Sequence, residues 1–316
     1  MDMSRLFTNF LMGFLIVVFT TTGAFAQQIS HKKDKLGPNV KFYYSFKDYQ
    51  GRKHDLSFLL PSNTIRTAHD DFQPYSNYQA NTYIYNKILK FSRALTNGVQ
   101  VDVRRSGNNL SISARGPSEE EVQDTLGRIR TLNRAAQQEY LHSNYFIEDP
   151  SQQFVFPDHI TLAQKYIAPL RPVASAIRQK TGGYGLRATL NYTLNFLQGI
   201  PYDTLMSRES ANGAGFTTPP ALFDINKGDC DTKSVALASL VKTLYPRTRT
   251  MLIYTSGHAF IGFSIPAKST DKTLNIEGTT FVLAEPAGPG VLPIGEISPT
   301  AEVELNKSRY SYREVS

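Results

Sequence analysis

The chain has no tryptophan, a single cysteine and no apolar run after residue 26 long enough to cross a bilayer. One cysteine excludes an intrachain disulfide framework and any zinc site built from several thiolates, so the fold must hold without staples. Without tryptophan, no indole N–H can serve as a hydrogen-bond donor at a reaction centre. Charge of one sign is also scarce: 34 Lys+Arg against 27 Asp+Glu leave +7. These charges are scattered and no ordered set of aromatics accompanies them, so nucleic-acid binding is not expected. What the chain does have is 316 residues, 41% of them hydrophobic and 19% charged. That is enough apolar side chain for a real core and too little charge for a solvated disordered tract.

Residues 1–26 place Arg5, an apolar run from Phe10 to Phe19 and then Ala24-Phe25-Ala26 in the order of a secretory leader. The run spans only about half of the ~20 residues that a membrane helix requires, so cleavage before Gln27 is expected rather than anchoring. No cysteine lies near the leader to carry a lipid, and the mature chain is expected to be periplasmic or secreted. An unpaired thiol in an oxidising compartment is either buried and inert or kept for chemistry.

Lys41–Phe46 and Lys53–Leu60 flank Asp48-Tyr49-Gln50-Gly51 and read as a hairpin. Val101–Arg104 and Leu110–Ala114 alternate apolar with polar around Gly107-Asn108-Asn109, predicting a second. Ser118 followed by Glu121 is a capping box, and Val122, Leu126, Ile129, Leu132 and Ala136 continue at helical spacing to about Tyr140. The tyrosine-rich stretch from Tyr75 to Tyr85 is read as β core in preference to a ligand platform. His69-Asp70-Asp71 is read as a solvated loop, because extended neighbours point in alternate directions and no second histidine accompanies them. The polar turn at 148–153 sets the expected domain boundary: leader 1–26, an accessory α+β domain over 27–150 and a second domain over 151–316. Between Ile160 and Leu197 the interruptions at Pro169, Pro172 and Gly182-Gly183 predict several short helices.

Gly228-Asp229-Cys230-Asp231 ends a loop, after which Leu237, Leu240, Val241 and Leu244 mark a buried helix that stops at Pro246. Cys230 therefore opens a helix, whose positive end favours thiolate, while Asp229 and Asp231 oppose it and call for a histidine partner. Thr250–Thr255 and His258–Ile265 are β-prone and joined by Ser256-Gly257, which sets His258 at a strand's first residue. Thr280–Glu285 is a further strand closed by Pro286. Pairing the last two around Asp271 and Lys272 puts His258 directly opposite Glu285. Leu274–Ile276 can instead pair with Thr280 onward through Glu277-Gly278, and Asp271 and Glu277 stand as rivals to Glu285.

With Cys, His and acid in this order, the chain resembles the transglutaminase-like superfamily, whose core is papain-like. The blocks that carry the likeness are Phe196–Tyr202, Gly228–Asp231, Gly257–Phe260 and Gly278–Pro286, the last continuing to Pro293–Glu296. The resemblance implies an α+β fold in which a helix bearing the nucleophile packs on an antiparallel sheet. It implies Cys230 as nucleophile, His258 as its base, Glu285 as the residue orienting the imidazole, and Gln198 as an oxyanion donor beside the Cys230 amide. Glu stands where Asp is commoner in the family, and the tryptophan that stabilises the oxyanion in animal transglutaminases is missing. The expected activity is a thiol hydrolase of peptide or carboxamide bonds, with a protein or peptide substrate in the cell envelope and no cofactor or metal. Water as second nucleophile gives a peptidase or amidase and a lysine amine gives a crosslinker; the core residues leave both open. The alternative is a scaffold that kept the fold and lost the chemistry.

Overall fold

The computed structural model describes residues 28–107, 109–149, 154–207, 213–288 and 290–316. The expected leader lies outside them. In chain order the elements are β1 (Gln28–Leu36), β2 (Asn39–Lys47), β3 (Lys53–Pro61), α1 (Ser62–Asp71), α2 (Asn77–Arg93), β4 (Gln100–Ser106), β5 (Asn109–Arg115) and α3 (Glu119–Ser143). There follow β6 (Phe146–Asp149), β7 (Phe154–Pro157), α4 (His159–Lys165), α5 (Arg171–Lys180), α6 (Leu186–Gly199), α7 (Pro219–Ile225) and α8 (Cys230–Leu244). Last come β8 (Thr250–Thr255), β9 (His258–Phe263), β10 (Thr273–Ile276), β11 (Thr279–Ala284), α9 (Pro299–Asn306) and β12 (Tyr310–Val315). The class is α+β, with antiparallel strand pairing in every described sheet.

Both expected hairpins form, as β2–β3 and β4–β5, and Ser118 caps α3 by accepting the Glu121 N–H at 3.2 Å. Tyr75 to Tyr85 is not a strand. It leads into helix α2, because Ala80, Ile84 and Ile88 recur every four residues and are the buried ones, while Tyr78 is exposed. His69-Asp70-Asp71 ends α1 rather than lying in a loop: His69 meets Asp224 at 3.0 Å, and Asp71 accepts Tyr166 Oη at 2.6 Å and Lys165 at 2.8 Å.

A five-stranded sheet in the order β10-β11-β9-β8-β12 forms the centre of the second half. Its three inner strands, β8, β9 and β11, are largely buried on both faces, which explains their apolar runs, while the edge strands β10 and β12 are mostly exposed or half-buried. Leu252, Ile261, Phe263, Val282 and Ala284 join the main core on the side of α8, whereas Met251, Ile253, Phe260, Phe281 and Leu283 pack with Ile297 and Ala301 near α9. The three-stranded sheet β1-β2-β3 turns Phe42, Tyr44, Phe46 and Phe58 inward. Phe196 of α6 packs edge-on against Tyr44 at 4.9 Å, and Phe223 of α7 against Phe58 at 5.3 Å. One contiguous core therefore runs from Phe42 to Val315, and the division expected at residue 150 coincides with no break in packing. A separate small core belongs instead to the excursion from α2 to α3, with Ile84, Ile88, Val103, Ile129 and Ala136.

Candidate functional site

Cys230 is the first residue of α8, and Asp229 caps that helix by accepting the Thr232 N–H at 2.9 Å. Glycine at 228 lets the loop before it pack closely: a Cβ there would come within 2.6 Å of Leu222 Cδ1 and 3.1 Å of Thr232 Cγ2, so a larger residue requires those side chains to shift. Gly228 also receives the Pro201–Asp203 segment: its N–H donates to the Pro201 carbonyl and its own carbonyl accepts the Asp203 N–H, both at 3.2 Å. Lys233, fully buried one turn along α8, donates to the Ile200 carbonyl and holds the same segment. Tyr202, Thr204 and Met206 thereby stand beside Cys230 in a cavity of about 320 Å³, whose far wall is Tyr254, Thr255, Gly257 and His258.

His258 opens β9 opposite Thr255, at a two-residue turn where Gly257 adopts φ +85°. Glu285 follows directly after β11. The β9–β11 register pairs Phe263 with Val282 and Ile261 with Ala284, two residues out of the alignment that sets His258 directly opposite Glu285. The reason is that β10 intervenes: Leu274–Ile276 hairpins onto β11 through Glu277 and Gly278, both at positive φ as a type I′ turn demands. A shift of two preserves the face of a strand, so the side chains still meet, with His258 Nε2 2.8 Å from Glu285 Oε1. Ser298 N–H donates to the other carboxylate oxygen at 2.6 Å. Burial works to raise the Glu285 carboxyl, but the hydrogen bonds from His258 and Ser298 outweigh it and hold the group below its ordinary value. The rival acids are engaged elsewhere or exposed: Asp271 binds Arg187 at 2.6 Å, and Glu277 lies in the exposed β10–β11 turn.

The thiol and the imidazole share the cavity, but no hydrogen bond joins them among the described residues. Cys230 Sγ lies 3.6 Å from Asp231 Oδ1. Burial, then the charges of Asp231 and Asp229, push the thiol up to about 12, against a hydrogen bond from the Ala259 N–H. Burial and Asp231 likewise raise the Asp229 carboxyl to about 7, and burial lowers Lys233 to about 7.

Gln198 is not brought to the thiol. It is wholly buried in α6, its amide N–H groups donate to the carbonyls of Glu285 at 2.8 Å and Leu292 at 3.1 Å, and its oxygen accepts from Asn195 at 2.8 Å. With these bonds made it has no donor left for an oxyanion. Sequence reasoning missed His159 and Tyr254. His159 Nδ1 meets Tyr254 Oη at 3.1 Å and its ring stacks on the tyrosine, while its Nε2 lies 3.8 Å from Asp231. The signal available for His159 was Asp158 ahead of Ile160, Leu162 and Ala163, the start of a helix that faces the core. Among the described residues no group of three His, Cys, Asp or Glu side chains is arranged to hold a metal ion, and no helix is long and apolar enough to cross a membrane.

No family model, curated protein or solved structure matches the chain significantly.

Proposed function

We propose that the protein is an exported thiol-dependent hydrolase of peptide or carboxamide bonds, with Cys230 as nucleophile, His258 as base and Glu285 as orienting acid. One observation carries the reading: the 2.8 Å contact from His258 Nε2 to Glu285, made at the wall of the cavity that Cys230 opens into. That contact occupies Nε2 and leaves Nδ1 as the nitrogen for the thiol proton. In the reaction, Sγ–H gives its proton to the imidazole and Sγ attacks the carbonyl carbon. The tetrahedral oxyanion is met by the Cys230 backbone N–H, which has no intrahelical partner at the first position of α8. The imidazolium then protonates the departing amine, and water, deprotonated by His258, releases the acid from the acyl-enzyme. An amine in place of water yields acyl transfer. A helix that begins at the nucleophile and packs on an antiparallel sheet is what the transglutaminase-like, papain-like reading requires, and the partner it implies is a protein or peptide of the cell envelope.

A second reading, a scaffold without chemistry, is favoured by the thiol's lying against Asp231 and being held up to about 12. Iodoacetamide at mildly acidic pH separates the two, because only a histidine-paired thiolate reacts there. Rapid labelling of Cys230 at pH ~5–6 supports the hydrolase. Labelling only as an ordinary or suppressed thiol, at or above the unperturbed ~8.5, sinks it in favour of the scaffold.

A further inference from the structure

Gln198, buried behind Glu285, is joined to a chain of hydrogen bonds whose direction its two ends dictate. At one end the carbonyls of Glu285 and Leu292 can only accept, so the amide nitrogen of Gln198 must face them. Its oxygen then faces Asn195, whose amide nitrogen donates at 2.8 Å. That leaves the Asn195 oxygen for the backbone N–H of Tyr49, at 3.4 Å. Tyr49 lies in the turn joining β2 to β3, more than 140 residues away in sequence. Every link is a donor meeting an acceptor, and neither amide can flip without setting two donors or two acceptors against each other.

At the far end the chain replaces something the strand does not supply. The β9–β11 ladder ends at Ala284, and Pro286 has no N–H, so Glu285 lies just beyond regular pairing at the point where its side chain must meet His258. Gln198 fixes the main chain of Glu285, while Ser298 fixes the carboxylate.

We propose that Asn195 and Gln198 are positioning residues that couple the β2–β3 turn to Glu285, so that the N-terminal sheet sets the orientation of the His258 imidazole. The proposal rests on reading Cys230, His258 and Glu285 as a triad. It gives the β2–β3 hairpin, residues 39–61, a part in the site without placing any of its side chains at the thiol.

The test measures iodoacetamide rates on the full chain at pH about 6 and about 10, whose ratio reports histidine-paired thiolate and cancels accessibility. Gln198→Leu is expected to lower that ratio about tenfold, the equivalent of one pKa unit of lost imidazolium stabilisation. Asn195→Ser, which leaves Gln198 in place, lowers it less and serves if Gln198→Leu does not fold. Ile88→Ala, in the separate α2–α3 core, lowers Tm but leaves the ratio alone. A Gln198→Leu protein with reduced Tm and a wild-type ratio overturns the proposal. The downfield proton resonance of the His258 Nε2–H reads the imidazole–carboxylate bond whatever the thiol does. Its loss in Gln198→Leu supports the relay even in a protein whose wild-type thiol labels only near pH ~8.5 or above, where the triad reading has failed. Its persistence unchanged, in such a protein, overturns the relay as well.

Discussion

The Cys230 thiol shows which electrostatic effect wins at a helix terminus. The positive end of a helix stabilises an anion by about 0.3–1 kcal/mol, less than one pKa unit. Burial and two neighbouring aspartates outweigh it and push the thiol up to about 12. Asp231 is the larger of the two charge effects, so we expect Asp231→Asn to lower the thiol pKa and to speed iodoacetamide labelling at pH 7, by about tenfold for each unit recovered. A rate at or below wild type would show that burial and Asp229, rather than Asp231, keep the thiol protonated. The triad residues should separate by role. Cys230→Ser and His258→Ala are expected to abolish acyl-enzyme formation from an activated ester, followed by mass spectrometry. Glu285→Gln should leave a measurable remainder, because glutamine can still accept from the imidazole although it no longer stabilises its charge. Equal loss in all three would remove the distinction between an orienting acid and a bond-making group.

Among the elements, the β2–β3 turn carries a stability that depends on pH. Asp48 accepts from the Gln50 and Arg52 N–H groups at 2.9 Å, from Arg52 Nε at 2.8 Å and meets His54 at 2.9 Å. Burial opposes the charge, but these bonds prevail and lower the carboxyl to about 2. A depressed acid stabilises the fold above its unfolded pKa of ~3.9 and loses that contribution as pH falls through the folded value. We expect about 2 kcal/mol of stability to disappear between pH ~4 and ~2, and Asp48→Asn to flatten that part of the urea-denaturation profile. An unchanged slope in the variant would assign the acid lability to other carboxylates. Elements whose signal is local were legible in the sequence: the capping box that opens α3, the β4–β5 alternation and the apolar spacing of α8 all lie within one element. Helix α2 was misread because tyrosines favour strands, while the evidence for a helix, Ala80, Ile84 and Ile88 every four residues, sits between them. Strand β1, with its run His31-Lys32-Lys33-Asp34-Lys35, has no buried face to impose alternation; it is an edge strand and its pairing comes from β2.

For the whole molecule, the decisive feature is that the N-terminal sheet closes the same core as the thiol helix. Residues 154–316 alone would expose Phe196 and Phe223, whose cover includes Tyr44, Phe46 and Phe58. We expect that fragment to lack a cooperative thermal transition, read by calorimetry. In the full chain, Phe58→Ala should cost about 3–5 kcal/mol in urea denaturation. A fragment that melts sharply would restore the boundary at residue 150 and make the N-terminal sheet an attachment.

The sequence by itself determined that Cys230 opens a helix, that His258 begins a strand and that a strand stops before Pro286, one residue short of the expected Glu285, because each is a matter of local spacing, turn chemistry and the reach of proline. It also determined the α+β class. Only the tertiary structure decided that Glu285, rather than Asp271 or Glu277, meets His258, since that depends on β10 entering the sheet at its edge and on a register shifted by two. Only the tertiary structure decided that Gln198 faces away from the thiol. Which way a buried amide donates is set by groups far away in sequence, here the carbonyls of Glu285 and Leu292, and no local pattern records them.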